Sequence, residues 1–593
     1  MKEFFKFTLA SMLGVFLASI IMTLIGIFFL FIFIAGLSSF ESGRITEVEP
    51  NSILEIQLNY PVPERTITAP LPGGAFPFIG FYRSLGLDDI LSSIENAGYD
   101  PNIKGIFLNL NNAGFSNYAT LEPIRRALID FKESGKFIIA HGDYITQKGY
   151  YIAATADKIY LTPSGNLDFK GLSAELFFFK KTLDKLEIDP QMFYFGKYKS
   201  ATEPFRLSKM SDENREQTSS ILSSMYDHII SEIAKARNIP ENELKKIADN
   251  FSGRLPEEAL RLSLIDSLLY RDQVNDELKL FAGVDLNKKL PVVSITDYSD
   301  VKSQTLPATA NRIAVIYAVG EIEAGEGDNE TIGTKNIIEA LHKARLNKNV
   351  KAIVLRVNSP GGVFSTSDLI RREVALAADE KPLVVSMGSL AASGGYFISC
   401  PADKILAEQN TITGSIGAYG FIPNMKDFFE NILGITFDRV KLGQYSDFGT
   451  VTRPFTGNEK KLFQSEIDRI YDQFIEKVVE GRDISKNKIN EIAQGRVYTG
   501  IQAKELGLVD EIGGLNEAVE IAADMANIGQ YRLLIYPELK SPFELIEKLF
   551  FNQAEESFLK LKLGEYFKYY EILNKVTNMT GIQARIPFEF EIN

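Results

Sequence analysis

The chain contains the motif GYYIAATADKI at residues 149–159 and again, as GYFISCPADKI, at residues 395–405. The two copies are identical at 7 of 11 positions and lie 246 residues apart. A period this long exceeds that of any solenoid repeat and has the size of a whole domain, so it predicts a tandem duplication. Two further pairs support it: IKGIFLNLNNAG (103–114) with VKAIVLRVNSPG (350–361), and GRLPEEALRLSLID (253–266) with GRVYTGIQAKELGLVD (495–510).

The repeats divide the chain into segments. We expect a first repeat over residues 45–295 and a second over 312–540, joined by the polar, proline-containing linker 296–311. Residues 541–593 form a Lys/Glu-rich extension with an aromatic cluster near Tyr566–Tyr570, and no function is assigned to it.

Short β-branched runs alternate with charged, helix-like stretches in both repeats. LEPIRRALIDFKESG and TSDLIRREVALAADE are typical of helices, and this alternation predicts parallel βαβ units and an α/β fold. The predicted strands are ILEIQLNY, KGIFLNL and KFIIAHG in the first repeat, and RIAVIYAV, KAIVLRVN and PLVVSMG in the second.

The amino terminus predicts a membrane anchor within residues 1–41. Residues 7–40 contain no charged side chain, and about 20 apolar residues are enough to cross a bilayer as one transmembrane helix. A cleaved signal peptide is the alternative, but its apolar core is usually about 7–15 residues long and ends at an A-x-A-like site, which is lacking here. Lys2 and Lys6 hold the short tail in the cytoplasm, so the repeats are expected outside.

Composition excludes several kinds of site. The 593 residues carry a net charge of −13, which disfavours nucleic-acid binding. The only cysteine is Cys400, so no disulfide closes within the chain, and we interpret this residue as part of the core. There are three histidines (His141, His228 and His342), too few to favour a metal site or a Ser-His-Asp triad. For His141, a local hydrogen bond is the simpler interpretation.

The repeats differ where small residues cluster. The second has Ser359-Pro360-Gly361-Gly362 where the first has Asn112–Phe115, and it has Ser393 where the first has Gln147. Tandem glycines can present N–H groups to an oxyanion, and small neighbours leave a serine hydroxyl accessible beside a helix start. Taken alone, the first motif is more often an ordinary turn, and the second a tightly packed helix.

A third difference runs the other way. The first repeat has Lys199, within FGKYKSATEPF, where the second has Ser446. A lone lysine in such a loop is usually a solvated charge. A serine nucleophile, however, needs an adjacent base, and a desolvated lysine with a lowered pKa can serve without histidine. The exchange therefore predicts a Ser–Lys dyad built from both repeats.

Six motifs, taken together and in this order, resemble the long form of the signal peptide peptidase A (protease IV) family. The resemblance covers nearly the whole chain. The motifs are GKYKSATEPF (196–205), NSPGG (358–362), AASGGYF (391–397), TGSIGAYG (413–420), GRVYTG (495–500) and GLVD (507–510).

The resemblance assigns roles to matching residues. It implies that Ser393 is the nucleophile, Lys199 the general base and Ser415 a residue that orients the lysine, with the backbone N–H groups of Gly362 and Gly394 as the oxyanion hole. It further implies a crotonase-like fold related to the caseinolytic protease subunit, and a homotetramer on the outer face of the bacterial cytoplasmic membrane. Substrates would be hydrophobic peptides, chiefly remnant signal peptides, and no cofactor or metal is expected.

Two other functions stay open at the level of sequence. Crotonase-like folds also host acyl-CoA-processing enzymes, although an exported domain would lack coenzyme A. The second alternative is a non-catalytic membrane scaffold, which would be insensitive to substitution of Ser393 or Lys199.

Overall fold

The computed structural model describes residues 2–41, 47–70, 81–111, 116–301, 309–539 and 581–585. Asn112–Phe115, residues 302–308 of the predicted linker and most of the carboxyl-terminal extension therefore lie outside the described residues. The helices are α1 Lys2–Glu41, α2 Leu87–Tyr99, α3 Tyr118–Glu133, α4 Gln147–Ala153, α5 Lys180–Lys185, α6 Glu203–Arg206, α7 Asp212–Arg237, α8 Glu241–Asp249, α9 Pro256–Arg261, α10 Arg271–Ala282, α11 Ile295–Tyr298, α12 Thr334–Leu346, α13 Phe364–Ala378, α14 Gly394–Ser399, α15 Gly457–Arg482, α16 Lys486–Ile492, α17 Gly500–Glu505 and α18 Leu515–Met525, with a 3₁₀ turn at Ser200–Thr202 and a π-helical turn at Phe428–Ile432.

The strands confirm the predicted alternation with helices. All six predicted strand segments and both quoted helices overlap an observed element of the same type. The strands are β1 Ser52–Ile56, β2 Ile67–Pro70, β3 Phe81–Ser84, β4 Ile103–Asn109, β5 Phe137–Thr146, β6 Lys158–Asp168, β7 Asp189–Tyr194, β8 Ser267–Leu268, β9 Val292–Ser294, β10 Arg312–Val319, β11 Glu321–Glu323, β12 Thr331–Gly333, β13 Val350–Ser359, β14 Gly361–Val363, β15 Leu383–Ala392, β16 Lys404–Ala407, β17 Ile412–Gly414, β18 Tyr419–Asn424, β19 Val497–Thr499, β20 Glu511–Ile512, β21 Arg532–Tyr536 and β22 Gly581–Arg585.

Each half contains a parallel sheet, and the two sheets have the same strand order. The first runs β9-β1-β4-β5-β6-β8 and the second β21-β10-β13-β15-β16-β20. In the second sheet, β15 also pairs with β17, and β19 joins β17 antiparallel. The α/β fold is therefore confirmed, and the shared strand order is consistent with a duplication.

A third sheet joins the halves, because it takes strands from both. Its order is β12-β11-β14-β22-β18-β7, with β7 from the first half and β22 from the carboxyl-terminal extension. β7 pairs antiparallel with β18 over six residues. This pairing places the segment after β7, which contains Lys199, near the carboxyl ends of the strands of the second parallel sheet.

The apolar cores also cross between the halves. The core of the first half includes Ala392, Ile412 and Val497 from the second. The core of the second half includes Phe193 of β7. Burial of apolar surface across this boundary favours one fixed arrangement of the halves.

The amino-terminal helix and the start of the linker bear on the predicted segments. Within α1, Phe4–Phe28 is long and apolar enough to cross a membrane, with a mean hydropathy of 2.3. The predicted linker begins at residue 296, which is inside α11. This helix begins at Ile295, because the Ser294 hydroxyl accepts a hydrogen bond from the Asp297 N–H and caps it. Ile295 and Tyr298 of this helix are buried in the core of the first half.

Candidate active site

Lys199 and Ser393 meet at the boundary between the halves. The Lys199 Nζ atom lies 3.0 Å from Ser393 Oγ, 3.0 Å from Ser415 Oγ and 3.2 Å from the Ser415 carbonyl oxygen. The Lys199 amine is thus within hydrogen-bonding distance of both serine side chains that the sequence predicted for the site. The lysine comes from the segment after β7, and both serines come from the second half.

The lysine is removed from water. Its side chain is 2% exposed, and this desolvation lowers its pKa from the usual value to about 7. Burial destabilises the ammonium form because an isolated charge loses its hydration. Near neutral pH a large fraction of Lys199 is therefore a neutral amine, which can accept a proton.

Ser393 lies in a sharp turn between β15 and α14. Its φ is 53° and its ψ is −111°, a conformation that costs a non-glycine residue on the order of 1–3 kcal/mol. The Ser393 N–H donates to the Gly414 carbonyl at 2.8 Å, and Oγ lies 3.3 Å from the Gly417 carbonyl oxygen. The surrounding strands hold this turn and direct the hydroxyl towards Lys199.

Ser415 occupies a second strained position, directly after β17. Its φ is 52°, and its N–H donates to the Arg496 carbonyl at 2.7 Å. Both its hydroxyl and its carbonyl oxygen face the lysine amine, so it contributes two of the three polar atoms around Nζ. This contact geometry suits a residue that orients the amine.

Gly362 and Gly394 lie on adjoining backbone segments beside Ser393. Gly394 is the first residue of α14, and Gly362 lies in β14. Gly361, which directly precedes Gly362, lies close to Gly394. A Cβ atom on Gly361 would lie only 2.7 Å from the Gly394 nitrogen. A Cβ on Gly362 would lie 2.0 Å from the Ile322 carbonyl oxygen, which explains the need for glycine there.

A loop of the second half holds the lysine segment in place. The Tyr198 N–H donates to the Gln494 carbonyl at 3.0 Å. Gly495 packs against Lys199 so closely that a Cβ atom there would lie 2.7 Å from Lys199 Cβ. Sequence reasoning missed these contacts, although Gly495 opens the GRVYTG motif.

Gln217 of α7 is a further residue that sequence reasoning missed. Its amide nitrogen donates to the Tyr198 carbonyl at 3.2 Å and to Ser200 Oγ at 3.0 Å, on either side of Lys199. Its carbonyl accepts from the Val497 N–H at 3.3 Å. A buried glutamine within a long helix gives no sequence signal for this bridging position.

In the first half, the position that corresponds to Ser393 is occupied by Gln147. Gln147 begins α4, and its side-chain carbonyl accepts from the N–H groups of Lys170 and Gly171 at 3.0 and 2.9 Å. Ser446, the counterpart of Lys199, lies exposed in a loop. The Lys199–Ser393 contact therefore uses one position from each half, and neither position has the same residue in the other half.

The remaining candidates have structural roles. Cys400 is buried with Sγ donating to the Phe397 carbonyl, and burial raises its pKa to about 12. His141 Nε2 lies 3.2 Å from both the Leu269 carbonyl oxygen and Thr162 Oγ1. Within the described part of the chain, no cluster of three or more His, Cys, Asp or Glu could hold a metal ion.

Comparison with known proteins gives related peptidases. The pattern of "Peptidase family S49" matches residues 130–285 and 375–529, which include Lys199, Ser393 and Ser415. Protease 4 of Haemophilus influenzae is 37% identical over 458 residues, 75% of this chain and 74% of that protein. Protease 4 of Salmonella typhi is 36% identical, over 78% of this chain and 75% of its own length.

Two further matches lie at greater distance. The chloroplastic serine protease SPPA of Arabidopsis thaliana is 32% identical over 85% of this chain and 75% of its own length. The solved structure of a ClpP1 mutant from Listeria monocytogenes covers 35% of this chain and 94% of its own, with 16% identity and a TM-score of 0.24. On the family match and these sequence relatives, the chain belongs to peptidase family S49 and is a serine-type peptidase of the long protease IV form.

Proposed function

We propose that this chain is a membrane-anchored endopeptidase that hydrolyses hydrophobic peptides, chiefly remnant signal peptides, with a Ser393–Lys199 dyad. The observation that carries the proposal is the 3.0 Å contact between Ser393 Oγ and a lysine amine whose pKa is lowered to about 7. A serine hydroxyl needs a base within hydrogen-bonding reach, and this amine meets that requirement.

The reaction follows from the positions of these groups. Ser393 Oγ attacks the peptide carbonyl while Lys199 Nζ accepts the hydroxyl proton. The N–H groups of Gly362 and Gly394 stabilise the oxyanion. Lys199 then returns the proton to the leaving amine, and a water molecule releases the acyl group by the same route in reverse. Ser415 keeps the amine directed at Ser393 throughout.

The proposal extends to ancestry and assembly. The common strand order of the two parallel sheets supports a tandem duplication of a crotonase-like domain, of which each copy kept one partner of the dyad. We propose repeats at 45–295 and 312–540. We also propose a homotetramer, as the family resemblance implies.

The proposed location rests on the amino-terminal helix. Phe4–Phe28 supports a single-pass anchor in the bacterial cytoplasmic membrane. Lys2 and Lys6 flank its start, and positive charge favours the cytoplasmic side. The two repeats would then lie on the outer face, where cleaved signal peptides leave the export machinery.

Hydrolysis of a synthetic signal peptide by the detergent-solubilised full chain tests the proposal. Ser393→Ala and Lys199→Ala are each expected to lower kcat/KM by a factor on the order of 10⁴ or more, because nucleophile and base act as a unit. Ser415→Ala is expected to cost less, roughly 10²-fold, because a misdirected amine still reaches the hydroxyl part of the time.

Two matched substitutions serve as controls. Lys197→Ala removes an exposed lysine two residues from Lys199, and Ser446→Ala removes the exposed counterpart serine. Both are expected to leave kcat/KM unchanged. Near-full activity in Lys199→Ala or Ser393→Ala would refute the dyad.

A further inference from the structure

We propose that Gln217 of α7 is a positioning residue for the reaction, because its side-chain amide ties the backbone on both sides of Lys199 to the strands that carry Ser415. Gln217 acts through the lysine and not on the reacting atoms. This inference rests on the proposed function, since it concerns the same base.

The backbone that carries Lys199 lies between regular elements. We call residues 196–202 the lysine segment; it leads from β7 into the short turn Ser200–Thr202. Lys199 has a φ of −74° and a ψ of 69°, outside both the helical and the strand regions. Contacts from other elements must therefore decide where its amine lies.

The Gln217 amide spans from the lysine segment to the second half. The residue is 1% exposed. Its Nε2 donates to the Tyr198 carbonyl at 3.2 Å and to Ser200 Oγ at 3.0 Å, and its Oε1 accepts from the Val497 N–H at 3.3 Å. A carboxamide suits this position because one end donates and the other accepts, whereas the carbonyl only accepts and the N–H only donates.

The acceptor end of the amide reaches the strands of the proposed site. Val497 begins β19 and lies opposite Gly414 of β17 in an antiparallel pair. The Gly414 carbonyl accepts the Ser393 N–H, and Ser415 directly follows Gly414. Gln217 therefore ties the lysine segment to the same backbone that places both serines.

A buried polar network holds the amide in turn. Gln217 Nε2 also lies 3.2 Å from Asn214 Oδ1, and Asn214 Nδ2 donates to Glu203 Oε2 at 2.9 Å. Asn214 and Glu203 are each 1% exposed. Glu203 accepts a further hydrogen bond from the Ser211 N–H at 3.1 Å. Because Glu203 directly follows the lysine segment, the first turns of α7 hold this part of the chain at two points.

The position of the lysine has a readout that overall stability does not share. The charged groups beside the lysine segment pair with one another: Arg496 lies 3.1 Å from Glu216, and Arg206 lies 3.8 Å from Glu203. Burial is the cause of the lowered pKa of Lys199. An amine displaced towards water would therefore regain a higher pKa.

The variant Gln217→Met, in the detergent-solubilised full chain, tests the inference. Methionine has a similar length but no amide, so the lysine segment loses its tie while the site stays filled. At pH 7 we expect kcat for a synthetic signal peptide to fall roughly 10²-fold, because a shift of about 1 Å costs about this much. KM should change little. The acid limb of kcat/KM should move above the pKa of about 7 expected for wild type, so that activity partly recovers at higher pH.

Ser224→Ala is the matched control on the same helix. Ser224 Oγ lies 2.8 Å from Thr499 Oγ1, a contact that also joins α7 to β19 but does not involve the lysine segment. This variant should keep the wild-type kcat and pH profile, whatever its melting temperature. If Gln217→Met shows the same kcat and pH profile as Ser224→Ala, the role of Gln217 is structural only and the inference is overturned.

A milder variant covers the case in which Gln217→Met does not fold. Ser200→Ala removes one acceptor of the amide, and it should lower kcat less than Gln217→Met and shift the acid limb in the same direction. The double variant should be no slower than Gln217→Met alone, because both substitutions remove one shared contact. A wild-type kcat and pH profile in Ser200→Ala, or additive losses in the double variant, would contradict the inference.

The dyad variants separate failure of this inference from failure of the proposed function. Near-full activity in Lys199→Ala or Ser393→Ala would refute both. Inactive dyad variants, together with a Gln217→Met chain that keeps the wild-type kcat and pH profile, would refute this inference alone.

Discussion

At the scale of single residues, Lys199 is a buried amine surrounded by neutral oxygens. Its amine contacts two hydroxyl oxygens and one carbonyl oxygen, and burial is the cause of its lowered pKa. A carboxylate in the same place would favour the ammonium form and raise the pKa. These surroundings therefore favour the neutral form of the Lys199 amine, and this has a measurable consequence if Lys199 is the base, as we propose.

The pH dependence of kcat/KM should report the Lys199 amine. We expect activity to rise with pH through an apparent pKa of about 7, because only the neutral amine accepts the Ser393 proton. Below that pH, each unit should lower kcat/KM about tenfold. The measurement uses a peptide without ionisable side chains, with circular dichroism as a control for folding. A profile without a step between about pH 5 and 9 would contradict this account of the base.

At the scale of elements, the loop around Gly495 sets the position of Lys199, the proposed base. Gly495 has a φ of 78° and its Cα faces Lys199. Two carbonyl groups of the same loop accept hydrogen bonds. The Gln494 carbonyl accepts from the Tyr198 N–H, and the Arg496 carbonyl accepts from the Ser415 N–H. One short segment thus holds both Lys199 and Ser415, the serine proposed to orient it.

Gly495→Ala should displace Lys199, the proposed base, from Ser393, the proposed nucleophile. The new methyl group would lie 2.7 Å from Lys199 Cβ, so the lysine must shift, and a displacement of about 1 Å can cost roughly 10²-fold in rate. Gly283→Ala is the matched control: its φ is 69° and its Cβ would meet nothing within 4 Å. Melting temperature and kcat/KM are measured for both. Similar losses of activity in the two variants would argue against a local effect at Lys199.

At the scale of the whole molecule, one buried and one partly buried polar cluster join the two halves. Glu64 of the first half accepts from Arg356 at 2.9 Å and from Asn358 at 2.7 Å. Arg126 donates to Glu408 at 2.7 and 2.8 Å. Arg356 and Asn358 lie on β13, which leads directly into the glycines of β14. The docking of the halves therefore also supports the proposed oxyanion site.

Glu64→Ala should destabilise the whole chain. It leaves the Arg356 guanidinium buried without its carboxylate partner, and loss of one member of a buried pair costs about 3–5 kcal/mol. The free energy of unfolding is measured by denaturant titration, together with peptide hydrolysis. Lys180→Ala, which removes a surface pair with Asp184, is the control and should change stability by about 0.5 kcal/mol or less. Equal stability of the two variants would contradict this role for Glu64.

The sequence by itself predicted the α/β fold and the residues that meet in the site. Strands and helices could be predicted because their periodicity is a local property of the chain. Ser393 and Lys199 stood out because each occupies a position where the other repeat has a different residue. These signals depend on residue type and spacing alone.

Only the tertiary structure determined how these residues meet. The contact of Lys199 with Ser393 spans 194 positions and depends on the pairing of β7 with β18 and on the buried boundary between the halves. The strained turn at Ser415, the Gly495 contact and the placement of β22 between β14 and β18 likewise depend on long-range packing. No local pattern encodes such contacts, because the free energy that holds each one comes from partners distant in the chain.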